Sequence, residues 1–147
     1  AELLGLGDTI GLAILVAHSI FELEHGVLVA HDARSRRISG GFLPTDMYLD
    51  AMSVYAAVTA TFIKRSAEAS LLTHVQYIRE LLDRRVIQSL TWTDTRDMVS
   101  DGLTKGAVAR DLLHAAMDGT VACKRDSKTW RSRSRERRRW MSKERRR

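Results

Sequence analysis

Residues 124 to 147 hold thirteen of the chain's 24 Lys and Arg, three of its 18 acids and almost no aliphatic side chain. A segment of that composition cannot bury enough apolar surface to offset the entropy of ordering it, so any core must come from what precedes it. The formal charge of +6 divides accordingly into +10 on this end and −4 on residues 1 to 123. With 147 residues, 44% of them hydrophobic, and one proline, the chain has material for one core. The composition predicts a single domain over residues 1–119 and a basic, disordered tail over 120–147.

Cys123 is the one cysteine, which excludes an intrachain disulfide and a multi-thiolate zinc site and fits a reducing compartment. An incidental thiol is the expected role. The opening AELLGLGD carries acids where a signal peptide needs bases, so an intracellular location, cytoplasmic or nuclear, is expected rather than secretion. The run Ile10 to Phe21 is apolar but shorter than the ~18 to 20 residues of a membrane-spanning helix and is broken by His18 and Ser19. It reads as a buried core helix, with no membrane partner.

Spacings of three and four place Leu3, Leu6, Ile10, Ile14, Ala17 and Phe21 on one face of a helix over residues 2–24. HGVLVAHD then reads as a short strand or buried turn, and ARSRRISGG as a loop marked by Gly40 and Gly41. MYLD predicts a strand ending near Asp50, followed by a helix from Ser53 with Val54, Ala57, Val58 and Thr61 on one face. From Ser66 to about Arg84 a second helix carries the stripe Leu71, Val75, Ile78 and Leu82, with Glu80 and Arg84 placed for a surface pair. VIQSLTWT predicts a strand from Val86 to Thr93. Two short helices, Val99 to Leu103 and Ala107 to Met117, complete the domain, which Gly119 stops.

The segment Thr91 to Gly106, TWTDTRDMVSDGLTKG, joins an aromatic-bearing strand to a polar turn and then to an Asp opening a short helix, a position where a carboxylate can bind metal at the top of a sheet. MYLDAMSVYAAV, LLTHVQYIRELLDRRVIQSLTWTDT and DMVSDGLTKG together resemble, respectively, the strand and D-x-x-S-[LV] turn, the helix-strand unit and the terminal A-D-x-L-T-K pattern of the ribonuclease H region that ends copia-type retrotransposon polyproteins. The resemblance covers residues 2 to 119, and its last piece is the most specific. It implies an α/β, ribonuclease H-like fold lacking its first strands, and descent from a polyprotein whose reverse transcriptase region lies upstream. In that family four carboxylates hold two Mg²⁺ (or Mn²⁺) ions, which activate water and stabilise the leaving oxygen in cleaving the RNA strand of an RNA–DNA hybrid. Carboxylates suit the task because magnesium is a hard ion that prefers oxygen.

By motif position the resemblance implies that Asp50 is the Asp at the end of the central strand, Asp101 the Asp of the final helix, and Glu2 the helix-borne Glu. All three are thereby candidate catalytic residues and metal ligands. The fourth ligand, an Asp on a hairpin ahead of the Glu-bearing helix, has no counterpart in these residues. Weak activity or none, and an exposed sheet edge, are the expected consequences. Ser100, where the family has Ala, and Ala51-Met52 after Asp50 are further departures. Each assignment has a simpler rival: Asp50 and Asp101 as cap or turn formers, Glu2 as an acid at the positive end of a helix, and Asp46, Asp94 and Asp97 as turn residues.

Lys105 matches the family's T-K pair, which can approach phosphate, although a solvated lysine serves equally well. In the tail, Arg131, Arg133, Arg137, Arg138 and Arg139 can neutralise phosphates while Trp130 and Trp140 stack on unpaired bases. A nuclear-import signal or read-through sequence without a selected role accounts for the same composition. His31-Asp32 lacks the further ligands of an HD-type or zinc site, and neither a phosphate-binding Gly-rich loop nor a nucleophile elbow is present. Beside the nuclease reading stand a nonenzymatic nucleic-acid-binding fragment acting through the tail and an unselected retroelement relic.

Overall fold

The computed structural model describes residues 2–60, 69–104, 106, 110–120 and 123–131. Among the described residues six helices flank a three-stranded mixed sheet, and the chain is α/β as expected. Strand β1 (Asp46–Leu49) runs parallel to β2 (Ser89–Thr93), and β2 runs antiparallel to β3 (Ser127–Trp130), in the order β1-β2-β3. The parallel pair requires a crossover. It is supplied by α3 (Met52–Thr59), α4 (Ala69–Asp83) and the segment joining them.

The core forms where the predicted stripes meet. Leu6 and Ile10 of α1 (Glu2–His25), Met47 and Leu49 of β1, Val54 and Val58 of α3, Ile78, Leu81 and Leu82 of α4, and Leu90 of β2 make one apolar cluster with Val86 and Ile87. Val75 of α4 is buried as the stripe predicts, and Arg84 pairs with Glu80 at 2.5 Å on the surface. Ala57, placed on the inner face of its helix by spacing, is exposed. Arg79 reaches from α4 to the carbonyls of Val58, at 2.7 Å, and Ala60. A cation there meets the negative end of α3 and satisfies its last carbonyls.

Three expectations need correction. Residues 30–38, read as strand, turn and loop, form helix α2 (Ala30–Ile38), which buries no side chain. Its pattern Ala-His-Asp-Ala-Arg-Ser-Arg-Arg-Ile has no apolar stripe, so periodicity gave no signal. The helix leans on α1 instead, through Arg37 Nη2 to His18 Nδ1 at 3.2 Å and the Arg36 guanidinium over the Phe21 ring at 4.4 Å. Helix α1 itself is 24 residues, long and apolar enough by length and composition to cross a membrane, and it is buried on one face only, through Leu6, Ile10 and Ala17.

The third correction concerns the tail. The segment from residue 120 was expected to lack order throughout, yet Ser127–Trp130 adds a strand to the sheet beside β2. Apolar burial contributes only at its last residue, where Trp130 packs partly buried against the core, while Ser127, Lys128 and Thr129 are exposed. Main-chain pairing, the Thr91 to Thr129 hydroxyl contact at 3.0 Å, and an ion pair from Arg125 hold it in place. Strand β2 is thereby paired on both sides, while β1 keeps one edge without a strand among the described residues. Strand β2 also begins at Ser89 rather than Val86, because Val86 and Ile87 enter the core from a turn closed by Gly40 N donating to Arg84 O at 2.8 Å.

Candidate active site

The site is organised around the carboxyl end of β1. Leu49 pairs in register with Trp92 of β2, so the Trp92 indole lies beside the turn that follows β1 and its Nε1 donates to the Asp50 carbonyl at 2.9 Å. That bond fixes the main chain of Asp50 between strand and helix. Tyr55 N donates to Ala51 O at 3.0 Å as α3 begins. Partial burial raises the Tyr55 phenol's pKa above its ordinary value.

Glu2 stands in the first turn of α1, and its Oε2 accepts a 3.3 Å hydrogen bond from Ser53 Oγ in the first turn of α3. Two helix starts therefore meet over the end of β1, each an electropositive terminus that favours acids nearby. A cleft of about 620 Å³ opens here, with Glu2, Asp50, Thr93, Asp97 and Cys123 in its wall. In open α/β sheets the carboxyl ends of the parallel strands are where ligands bind.

Asp101 does not join them. It opens α5 (Asp101–Thr104), and its neighbour Ser100, not Asp101, lines the cleft. Helix α5 is turned toward α6 (Asp111–Met117), close enough that a Cβ on Gly102 would stand 3.2 Å from Leu113 Cβ. Of Glu2, Asp50 and Asp101, the first two line the cleft and the third does not. No group of three or more His, Cys, Asp or Glu side chains able to hold a metal occurs among the described residues. Of the three carboxylates in the cleft wall Asp97 is engaged by Arg125, and Glu2 and Asp50 with a serine hydroxyl do not make up the oxygen ligands that two magnesium ions require. The residues present do not fit a two-ion centre.

Asp97, expected as a turn residue, is the acid that the sequence placed least well. Its side chain is wholly buried, and it accepts from Arg125 N at 2.8 Å and Arg125 Nη1 at 2.7 Å. It ties the approach to β3 to the end of β2. A turn aspartate and a buried anchor look alike in sequence, and the one hint was an arginine at a distance of 28 residues. Asp94 does take a turn role: it caps the short 3₁₀ turn Thr95–Asp97, accepting from Arg96 N at 2.9 Å and pairing with the Arg96 side chain at 2.8 Å. The Arg96 side-chain and backbone bonds hold its carboxyl well below the usual range. Asp46, in β1, accepts from Ser89 Oγ across the parallel pair. Thr93 Oγ1 lies 3.6 Å from Cys123 Sγ at the cleft wall.

Of the proposed nucleic-acid contacts, Arg131 follows β3 and is exposed. Lys105, Arg133, Arg137, Arg138, Arg139 and Trp140 lie outside the described residues. No family model, curated protein or solved structure matches the chain.

Proposed function

We propose that this chain is a retrotransposon-derived ribonuclease H-like domain whose hybrid-cleaving centre is incomplete. The observation that carries the reading is the meeting of Glu2 and Asp50 in one cleft at the carboxyl end of the parallel strand pair, where the copia-type motif assigns two acids. The ancestral activity is metal-dependent cleavage of the RNA strand of RNA–DNA hybrids, with Mg²⁺ or Mn²⁺ as the ion such acids hold. With Asp97 of the cleft wall held by Arg125 and Asp101 outside the lining, only Glu2 and Asp50 are left for metal and activity is impaired.

The test supplies what the pair lacks. An Asp-bearing β-hairpin of the ribonuclease H family is fused ahead of Glu2, and a labelled hybrid is incubated with magnesium and either the fusion or the chain itself. The fusion is expected to cut the RNA strand, the chain alone to cut weakly or not at all, and Asp50→Asn or Glu2→Gln to silence the fusion. An inert fusion, or cleavage that survives both substitutions, overturns the assignment.

A second reading draws on one separate observation. Cys123 lines the cleft and Arg125 is anchored on Asp97, so the basic segment departs from the rim of the same cleft, with Lys128 and Arg131 exposed. A nonenzymatic fragment that grips nucleic acid through this segment would show a salt-dependent affinity. Deleting residues 132–147 should flatten the slope of log affinity against log salt; an unchanged slope rejects the segment as the contact.

A further inference from the structure

The cleft at the end of β1 is apolar inside and acidic at its wall. Leu6, Leu49, Val54, Met98 and Val99 line it together with Glu2, Asp50 and Asp97, and among the described residues no Lys, Arg or His does so. Asp97 is neutralised by Arg125. Among the described residues Glu2 meets only the Ser53 hydroxyl, and no cation pairs with Asp50. Lys128, the cation of β3, stands over the Trp92 ring at 5.9 Å instead. Two carboxylates thus face an apolar space of about 620 Å³ without a counter-charge.

The complement lies further along the same chain. Residues 132–147, which are outside the described residues, carry nine Lys and Arg against two Glu. Within them Trp140 and Met141 stand between Arg137-Arg138-Arg139 and the run from Lys143 to Arg147, so an apolar pair is flanked by cations on both sides. Arginine matches a carboxylate with two parallel hydrogen bonds, and an indole supplies a large, rigid apolar anchor. Reach is sufficient. Thr93, in the cleft wall, pairs with Ser127, and Leu90 pairs with Trp130, so the chain leaves β3 about 10 Å from the cleft end of the sheet at ~3.3 Å per residue. The ten residues from Trp130 to Trp140 extend to at most ~33 to 36 Å, three times that distance.

We propose that residues 137–147 dock in the cleft of their own chain, with Trp140 and Met141 against its apolar wall and Arg137, Arg138 and Arg139 at Glu2 and Asp50. A segment tethered at this range meets its site at an effective concentration on the order of 1 mM, so a contact too weak to hold two separate molecules is populated within one. Docking closes the cleft to other ligands and withholds the same arginines from phosphates. The contact uses the charge of Glu2 and Asp50 and not their descent, so it stands or falls apart from the nuclease reading.

The test uses the full chain, freed of nucleic acid, with 5-fluorotryptophan in place of its three tryptophans. Fluorine NMR follows them beside a neutral gadolinium chelate, and Trp140→Phe assigns the resonance of interest. At low salt the chelate should broaden Trp140 several-fold less than it broadens the indole of a synthetic peptide of residues 132–147. Glu2→Gln with Asp50→Asn should bring Trp140 to the peptide's value, each neutralised pair weakening the contact up to about fivefold, with Trp130 and helical circular dichroism unchanged. Arg137→Ser, Arg138→Ser and Arg139→Ser together should do the same with the cleft intact, as should roughly 0.5 M salt. A Trp140 as exposed in the chain as in the peptide, or shielding that survives both sets of substitutions, overturns the proposal. Shielding that appears only as the chain is concentrated overturns it too, since the contact is then between copies. So does a Trp140 that is shielded only once an RNA–DNA hybrid is added, which would give the segment to nucleic acid.

Discussion

The attachment of β3 depends on one buried acid, and its removal has a size that can be worked out. The Asp97 side chain is 0% exposed and accepts two hydrogen bonds from Arg125, whose own side chain is 42% exposed. Hydrogen bonds to charged groups contribute about 1.5 to 3 kcal/mol each, but in Asp97→Ala the arginine turns to water and recovers part of that. A net loss of about 2 to 3 kcal/mol follows, below the full figure for breaking a wholly buried pair. Arg125→Ala is the harsher change. The main-chain bond remains, yet a buried carboxylate loses its counter-charge, and the penalty rises toward about 3 to 5 kcal/mol. The double substitution should lose less than the sum of the two, because the second change no longer strands a charge.

Strand β3 is an edge strand with one neighbour, so its release is local before it is global. Hydrogen exchange is therefore the direct assay. Amides of Ser127–Trp130 should exchange roughly 30- to 150-fold faster in Asp97→Ala, the factor that corresponds to about 2 to 3 kcal/mol, while the amide of Leu82 in α4 changes far less. Unaltered protection in β3, or a milder effect from Arg125→Ala than from Asp97→Ala, would refute the account of the pair as the strand's anchor.

Leu90→Ala, at a fully buried position in the central strand, should destabilise the fold by about 2 to 5 kcal/mol in urea denaturation with little change in slope. Gly41→Ala should lose at least about 1 kcal/mol by the same measurement, since Gly41 has φ +69° and an added Cβ would lie 2.8 Å from the Val86 carbonyl oxygen. The Asp94 carboxyl should titrate below the usual carboxylate range by NMR, and Arg96→Ala should raise its midpoint only part of the way back, because the main-chain N–H of residue 96 still donates to it. Because the folded-state value is the lower one, its stabilisation is full above the unfolded-state value and disappears as pH falls through the folded-state value.

Where the sequence carried periodicity, the fold was legible. The stripes of α1 and α4 and the branched, aromatic β2 are found in place because each buries the face that its spacing marks. Helix α2 and β3 were not legible, for a shared physical reason. Neither has a periodic apolar face; α2 rests on arginine and histidine contacts to α1, and β3 on main-chain pairing, the Arg125 ion pair and the single side chain of Trp130 against the core. Elements held by polar contacts to residues distant in sequence leave no periodic trace. The long apolar run of α1 misled in the other direction, because apolar character does not say how much of a helix its own chain can cover.

The candidate site divides along the same line. Asp50 follows a strand whose register with Trp92 places it, and Glu2 begins a helix whose packing sets it over α3, so both reach the cleft as consequences of legible elements. Asp101 depends on how a four-residue helix turns after the 3₁₀ segment, and that direction is set by contact with α6 rather than by anything periodic. The acid that reaches the cleft wall from this region is Asp97, four residues earlier, and it arrives already engaged by Arg125. Any gain of a third ligand would thus require either rotation of α5 to bring Asp101 inward or release of Asp97 from its arginine. The second route detaches β3, so in this chain the strand that closes the sheet and a completed carboxylate cluster compete for the same side chain.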